Sequence, residues 1–202
     1  MPTRRTHLLS IALTPTTAQI VEAKRSGEAV RVVRRSTLVF PKDAGLDAPE
    51  VLGKAIAEHL DQQQYDTHHA VMGLCSRWVL ARHKQAPPAD PDTMRGIVNL
   101  QIEREFAGSS SDMVFDYLLD QSTQDEAQAA LLLTAVRRSV LQQAEQAALA
   151  AGLKADIITT TPLAAAAGHA GTVVSVEQGV ASVMRVKDGA PTGFSSCSVN
   201  PD

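Results

Sequence analysis

The chain has 202 residues, of which 44% are hydrophobic and 20% charged, and its formal net charge is −3. This length is enough for one domain or two small ones with a buried core, and the composition is that of a globular chain. Only 3% of the residues are aromatic, and the lysines and arginines are scattered. The sequence therefore offers neither a basic stripe nor a base-stacking surface, which argues against a nucleic-acid partner.

The cysteine content and the hydropathy of the sequence indicate the cellular compartment in which the chain resides. Cys75 and Cys197 are far apart and lie outside any metal-binding spacing. Two cysteines in a chain of this length do not form a disulfide scaffold, which favours a reducing compartment. No stretch approaches the roughly 20 apolar residues that cross a bilayer. The sequence predicts a cytoplasmic chain without a membrane span.

The first third of the chain predicts three strands and a helix. Apolar alternation predicts strands at 7–13, 18–24 and 29–40. Asp47 is predicted as the N-cap of a helix with Pro49 in its first turn. The third strand carries three arginines, which is typical of an exposed sheet edge. They are Arg31, Arg34 and Arg35.

The middle of the chain alternates strands and helices. Asp90 followed by Pro91 predicts the start of a second helix. Ser139 and Gln142 form the pattern of a capping box for a third helix, and Gly152 fits the C-terminal end of that helix. A short alanine-rich helix follows the last strand of this region. The predicted strands are 69–74, 78–84, 113–120, 129–136 and 155–160.

The end of the chain returns to strands and resembles its beginning. Residues 10–27 align with 175–189, and both segments predict a strand, a polar turn, a second strand and a glycine-containing turn. The aligned pairs are Ala12 with Ser175, Ile20 with Val183, and Lys24 with Lys187.

Three histidines could suggest a metal site. His59 lies on the first predicted helix, and His68 and His69 are adjacent at the start of a strand. No cysteine or carboxylate accompanies them at ligand spacing, and neighbouring residues on a strand point to opposite faces. We therefore expect one of the adjacent pair to be packed and the other solvated, and we predict no metal site.

Four stretches together carry a resemblance to a known family. They are residues 71–106, 112–120, 131–166 and the hairpin from Thr172. In this order they resemble the actin-fold ATPases, and among them most closely the family of the type IV pilus assembly protein PilM. Its relatives are the cell-division protein FtsA and the cytoplasmic part of the type II secretion protein GspL. The resemblance implies an α/β chain with an actin-like (ribonuclease H-like) ATPase fold.

The resemblance also implies a domain organisation. A first actin-like subdomain is expected at 1–75 and 153–170, with an inserted β-α-β-β subdomain at 76–152. Residues 171–202 are expected to begin the second actin-like half, which would then be truncated.

Actin-fold ATPases hold ATP between two hairpin loops, each preceded by an aspartate that positions Mg²⁺. By resemblance, the aspartate positions of this chain hold Ala12 and Ser175. Glu177 stands at a glycine position and is expected to direct negative charge at the phosphates. The resemblance thus implies a degenerate ATPase fold that is not an enzyme and holds no metal. It has no cofactor unless the degenerate loops still bind MgATP. The vestigial phosphate-loop residues would be Thr14, Thr16, Thr17 and Gly179.

The function implied by the resemblance is a non-catalytic, cytoplasmic scaffold of a type IV pilus or type II secretion assembly, peripheral to the inner membrane. It would bind the cytoplasmic tail of a single-span, PilN-like partner in a groove between the first subdomain and the insert. Parts of 76–84, 91–106 and 112–120 would line that groove. The alternatives are a functional actin-fold ATPase and an α/β interaction domain without a ligand, and self-association is left open.

Overall fold

The structure, a computed structural model, describes residues 7–27, 29–106, 112–120, 129–187 and 190–199. The chain divides into two compact units. The first contains the described residues of 1–75 and 139–161, and the second those of 76–138 and 162–202.

The helices and strands follow in chain order. They are β1 (His7–Leu13), β2 (Thr17–Ser26), β3 (Ala29–Val39), α1 (Pro49–Gln62), β4 (His69–Leu74), β5 (Val79–Ala86), α2 (Pro91–Glu105), β6 (Met113–Asp120), β7 (Ala129–Arg137), α3 (Arg138–Ala150), β8 (Lys154–Thr160), α4 (Thr161–Ala166), β9 (Gly171–Glu177), β10 (Val180–Lys187) and β11 (Ala190–Ser198). Each strand predicted from apolar alternation is present, with ends that differ by a few residues at most.

The first unit is built on a five-stranded sheet of order β3-β2-β1-β4-β8. Strands β1, β4 and β8 are parallel, and the β1-β2-β3 meander is antiparallel. Directly paired residues share a face, so Ile11, Ile20 and Ser36 lie in one row. Helix α1 covers this face, because the Ser36 hydroxyl lies 2.8 Å from both His59 Nε2 and the Tyr65 hydroxyl.

Strand β3 is an edge of the sheet, as its arginines predicted. One of them has a role within the unit. The Arg34 guanidinium donates hydrogen bonds to the backbone carbonyls of Gln63 and Gln64, directly after α1, and lies 5.3 Å from the Tyr65 ring centroid. A cation at the carboxyl end of a helix is favourable, because the free carbonyl groups there carry partial negative charge.

Helices α1 and α3 approach each other closely at a glycine. A Cβ atom added to Gly53 would lie 2.5 Å from the Ala147 carbonyl oxygen and 2.5 Å from Ala150 Cβ. This contact explains why α3 belongs to the first unit, whereas the sequence placed it in an insert that ended at residue 152. The other expected boundary, at 170, also differs, because the residues from 162 onward group with the second unit.

Two predicted helix starts were wrong. The N-cap of α1 is Ala48 and not Asp47, whose carboxylate lies beside Gly45 in the preceding turn. Helix α3 begins at Arg138, directly after β7, so Ser139 lies inside the helix and the predicted capping box does not form. The β7 ladder continues to the residue before the helix, which leaves no separate capping residue.

Two predicted helix ends were confirmed. Asp90 Oδ1 accepts hydrogen bonds from the backbone N–H groups of Asp92 and Thr93 at 3.0 and 3.1 Å, which caps α2. After α3, Gly152 has a φ of 71°, and the N–H of Leu153 donates to the Ala148 carbonyl at 2.9 Å. This is the left-handed glycine ending that the sequence indicated.

The second unit contains two three-stranded antiparallel sheets, of order β5-β7-β6 and β11-β10-β9. Helix α2 covers one face of the first sheet, and the other face packs on residues of α4 and β10. The buried residues under α2 are Ala86, Met94, Val98, Phe106, Met113, Leu131, Leu133 and Ala135. The buried residues on the opposite side are Leu132, Ala166, Met184 and Val186. Among the described residues, no helix is both long and apolar enough to cross a bilayer.

The helix contact at Gly53 can be tested with a matched pair of glycine substitutions. Gly53→Ala should lower the free energy of unfolding by about 1–3 kcal/mol, because the added methyl group collides with α3. Gly96→Ala on α2, where the added Cβ would point into open space beyond the helix's own backbone, should raise it by about 0.5–1 kcal/mol through helix propensity. Urea unfolding followed by circular dichroism measures the free energy of unfolding of both variants, and a Gly53→Ala variant at least as stable as the parent chain would contradict the contact.

Candidate functional site

The first candidate site is the loop between β1 and β2. Pairing between β1 and β2 ends at Leu13 with Ala18, so the hairpin tip consists of Thr14, Pro15 and Thr16 together with Thr17, the first residue of β2. The N–H of Thr14 donates to the Thr17 carbonyl at 2.8 Å. The Thr14 hydroxyl oxygen accepts the N–H of Thr17 at 2.9 Å and that of Thr16 at 3.4 Å.

These hydrogen bonds determine which backbone N–H groups of the loop are available to a ligand. A loop that holds phosphate presents several backbone N–H groups outward. Here the N–H groups of Thr14, Thr16 and Thr17 all donate within the loop, and Pro15 has none. The loop is therefore closed by the Thr14 side chain instead of being left open for an anion.

The residue at the first aspartate position contributes no acid. Ala12 is half-buried and lies between Gln19 on β2 and Gly73 on β4 in the sheet. Because Mg²⁺ is bound through oxygen ligands such as carboxylates, the methyl side chain of Ala12 supplies no ligand for the ion.

The second candidate site is the two-residue turn between β9 and β10. Gln178 and Gly179 have φ values of 48° and 76°, which is the conformation of a type I′ hairpin turn. Glycine suits the second position because it tolerates a positive φ without strain. Ser175, at the second aspartate position, is half-buried and paired with the buried Ser182.

The carboxylate of Glu177 contacts the start of the β5 region. Its Oε2 atom accepts the backbone N–H of Ser76 at 3.4 Å, and the Ser76 hydroxyl lies 2.7 Å from that of Ser182. Through this contact the Glu177 side chain helps to hold the start of β5, and the expectation that it directs negative charge at phosphates stays a prediction. The contact between Ser76 and Ser182 was not predicted from the sequence. The available signal was Ser182, a single hydroxyl within an apolar stretch of β10.

The two hairpins share one pairing register, as the internal repeat predicted. Leu13 pairs with Ala18 and Val176 pairs with Ala181, with four residues between the members of each pair. Each meander also has a bulge at the aligned position, after Glu22 in the first and after Arg185 in the second. The alignment of Ala12 with Ser175 therefore holds in three dimensions.

The second turn lies beside an open cleft of about 620 Å³ within the second unit. The residues that line it include Arg77, Leu80, Arg82, Gly179 and Ser198. Both arginines are exposed. Of the four predicted phosphate-loop residues, Gly179 lines this cleft, whereas the three threonines share the loop of the first unit.

The three histidines do not form a cluster. His59 bonds to Ser36, and burial lowers its pKa below the ordinary value, so that the ring is neutral at pH 7. His69 lies 3.2 Å from an Asp156 oxygen, and His68 is exposed. Within the described ranges, no group of three or more histidine, cysteine or acidic side chains could hold a metal ion.

Comparisons with known proteins bear on the fold. No known family matches the sequence, and no curated protein matches it. Among solved structures, a PilM–PilN type IV pilus biogenesis complex is similar, with a TM-score of 0.79 and 17% identity. The match covers 97% of this chain and 62% of that one. The fold is actin-like. The sequence resemblance implied this fold. It also implied a likeness to PilM, and the structural similarity agrees with it.

Two further structures are similar to the chain. The cytoplasmic domain of EpsL, an inner-membrane component of the type II secretion system of Vibrio cholerae, matches with a TM-score of 0.62 and 17% identity, over 95% of this chain and 71% of that one. A Bacteroides thetaiotaomicron protein with an actin-like ATPase fold and unknown function matches with a TM-score of 0.51 and 9% identity, over 96% and 70%. At these identities the likeness concerns the fold, because one fold supports many functions.

The closed first loop predicts a stability effect. Thr14→Ala should lower the free energy of unfolding by about 0.5–1.5 kcal/mol, because the N–H of Thr17 loses its acceptor. Thr14→Ser keeps the hydroxyl and should lose less. Chemical denaturation of the three proteins tests this, and an unchanged Thr14→Ala variant would show that the hydroxyl does not hold the loop.

Proposed function

We propose that the chain is a non-catalytic scaffold, a pseudo-ATPase, of a type IV pilus or type II secretion assembly. The observation that carries the proposal is the first loop, in which the Thr14 hydroxyl occupies the backbone donors that a phosphate would need. In an ATPase of this fold, that loop is the element that would grip the nucleotide.

The acids needed for hydrolysis are also lacking at both hairpins. Ala12 and Ser175 cannot ligate Mg²⁺ as carboxylates do, and without the ion the triphosphate charge stays uncompensated. The carboxylate nearest the second turn in sequence is that of Glu177, and it bonds to Ser76. These features favour a scaffold over the alternative of a working ATPase.

The partner that fits is the cytoplasmic tail of a PilN-like inner-membrane protein, since the similar structure is a complex of PilM with PilN. Through that tail the chain would be held at the cytoplasmic side of the inner membrane. The segments 76–84, 91–106 and 112–120 all belong to the second unit. They supply β5, α2 and β6 to one subdomain.

Strand β6 is the part of this surface best suited to an extended tail. It is an edge of the β5-β7-β6 sheet, and an edge strand can pair with an added peptide strand. Phe115 and Tyr117 pack towards α2, whereas Leu118 is 42% exposed on the other face. Leu118 would therefore contact alternate side chains of the added strand.

Nucleotide binding separates the scaffold from the ATPase. Calorimetric titration with MgATP should give no isotherm, or a dissociation constant weaker than about 1 mM. A tight isotherm would overturn the assignment as a pseudo-ATPase. If such binding were weakened in Thr14→Ala, the first loop would be the nucleotide site, and if it were weakened in Arg77→Gln, the cleft would be.

Tail binding can be tested with a synthetic peptide of the PilN cytoplasmic tail from the same organism. Leu118→Lys should weaken binding by about tenfold or more, because it removes an apolar contact at the β6 edge. The control is Leu149→Lys on α3, which is 77% exposed and lies in the first unit. Fluorescence anisotropy measures both variants, and equal affinities would exclude the β6 edge as the docking site.

A further inference from the structure

The hairpin that joins β2 to β3 combines exposed valines with exposed cations. Next to its turn, Lys24 pairs with Arg31, and Arg25 pairs with Val30. These four residues are exposed, and so is Val32. Val30 and Val32 are 67% and 57% exposed. We use the name basic tip for these five residues.

The basic tip extends beyond the neighbouring strand. The first residue of β1, His7, pairs with Lys24, whereas β2 and β3 continue among the described residues for two further pairs, as far as Ser26 with Ala29. At roughly 3.4 Å per residue, these pairs add about 7 Å of hairpin that β1 does not flank. The loop closed by Thr14 lies at the opposite end of β2, so the basic tip is a separate surface.

Few acidic groups compensate the positive charge of the basic tip. Strands β2 and β3 contain five of the chain's 19 lysines and arginines, and their one acidic residue, Glu22, is buried. The connecting turn adds one more acidic residue by sequence, Glu28. The side chains of Lys24 and Arg31 form no hydrogen bond or ion pair with a described residue, and Arg25 donates to a backbone carbonyl of the turn. On a chain with a net charge of −3, this hairpin is therefore a local concentration of positive charge.

The edge strand of the hairpin is poorly suited to a protein strand. A peptide added to β3 would run along Arg31, Arg34 and Arg35, and it would meet a bulge at Val33, which has no partner on β2. Cations and bulges on an edge strand discourage strand addition. Two copies of the chain joined at this tip would bring like charges together. A lipid surface needs no strand register, and its anionic headgroups attract cations that lie beside apolar side chains.

We propose that the basic tip docks the chain on an anionic lipid surface. Lys24, Arg25 and Arg31 would contact the phosphate groups of the lipids. Val30 and Val32 would enter the boundary between the headgroups and the acyl chains. This contact goes beyond the scaffold role proposed above and needs no partner tail, so a test without the tail leaves the two proposals independent.

Vesicle co-sedimentation provides the test. One set of vesicles contains phosphatidylcholine with about 30% phosphatidylglycerol, which gives an anionic surface, and the other contains phosphatidylcholine alone. The chain should sediment with the anionic vesicles and stay in solution with the neutral ones. The bound fraction should fall as salt is raised, because salt screens the attraction between the cations and the headgroups.

A pair of double variants with equal net charge locates the contact. Arg25→Glu combined with Arg31→Glu should weaken binding to the anionic vesicles by about 25-fold or more, because each basic residue at the surface contributes about fivefold. The control is Lys54→Glu combined with Arg185→Glu, at two exposed positions outside the basic tip. The control should lose less than about threefold, because its net charge changes equally but its basic tip is intact.

The apolar part of the contact is tested separately. Val30→Ser combined with Val32→Ser keeps the charge and should weaken vesicle binding by a factor that salt does not change. This variant also tests the tip if circular dichroism shows that the arginine double variant does not fold.

Three results would overturn the proposal. They are no sedimentation with anionic vesicles, equal sedimentation with both kinds of vesicle, and equal affinities of the arginine double variant and its control. Polyglutamate is the probe for an acidic protein. If it binds at the basic tip while the vesicles do not, the surface belongs to such a protein and not to a membrane.

Discussion

The pairing register of the two three-stranded meanders governs which side chains each unit buries. Because residues alternate between faces along a strand, one register determines the whole set of residues on each side of a sheet. The first unit buries the face that contains Ile11 and Ile20, and α1 covers it. The second unit uses the same register but buries the reverse face, which contains Met184 and Val186. The two units therefore share one hairpin register but expose opposite faces of it.

At the hairpin tips of the two meanders, polar side chains accept hydrogen bonds from backbone N–H groups of this chain. At the first tip, the Thr14 hydroxyl satisfies the loop's own N–H groups. At the second tip, the Glu177 carboxylate satisfies the N–H of Ser76. In both places a side chain pairs with the backbone of this chain. The proposed scaffold role is based on these hydrogen bonds between side chains and the backbone.

Much of the fold could be predicted from the sequence because apolar alternation and glycine turns are local signals. The Asp90 cap and the Gly152 ending were predicted for this reason, and both depend on residues within a few positions. The Asp47 cap was wrong because Asp and Ser residues bond as readily in turns as at helix ends. The boundary expected at 152 differs from the division into units, which lies at 139, and the contact between Gly53 and α3 behind this difference joins residues about a hundred positions apart.

The candidate site was harder to predict than the fold. The positions of Ala12 and Ser175 followed from the repeat, and the structure keeps them aligned. The partner of Glu177 could not be predicted, since a carboxylate in a turn can bond to any nearby N–H and Ser76 is distant in sequence. The exposed side of the second meander was equally unpredictable, because Val173 and Val174 are both apolar and only tertiary packing distinguishes them.

The two cysteines differ completely in their accessibility. Cys75 is fully buried at the end of β4, and Cys197 is exposed on β11. A water-soluble thiol reagent therefore reacts at once with Cys197, whereas Cys75 becomes reactive only when the first unit opens. The slow phase of labelling thus reports the opening free energy of that unit in the native chain, without an introduced probe.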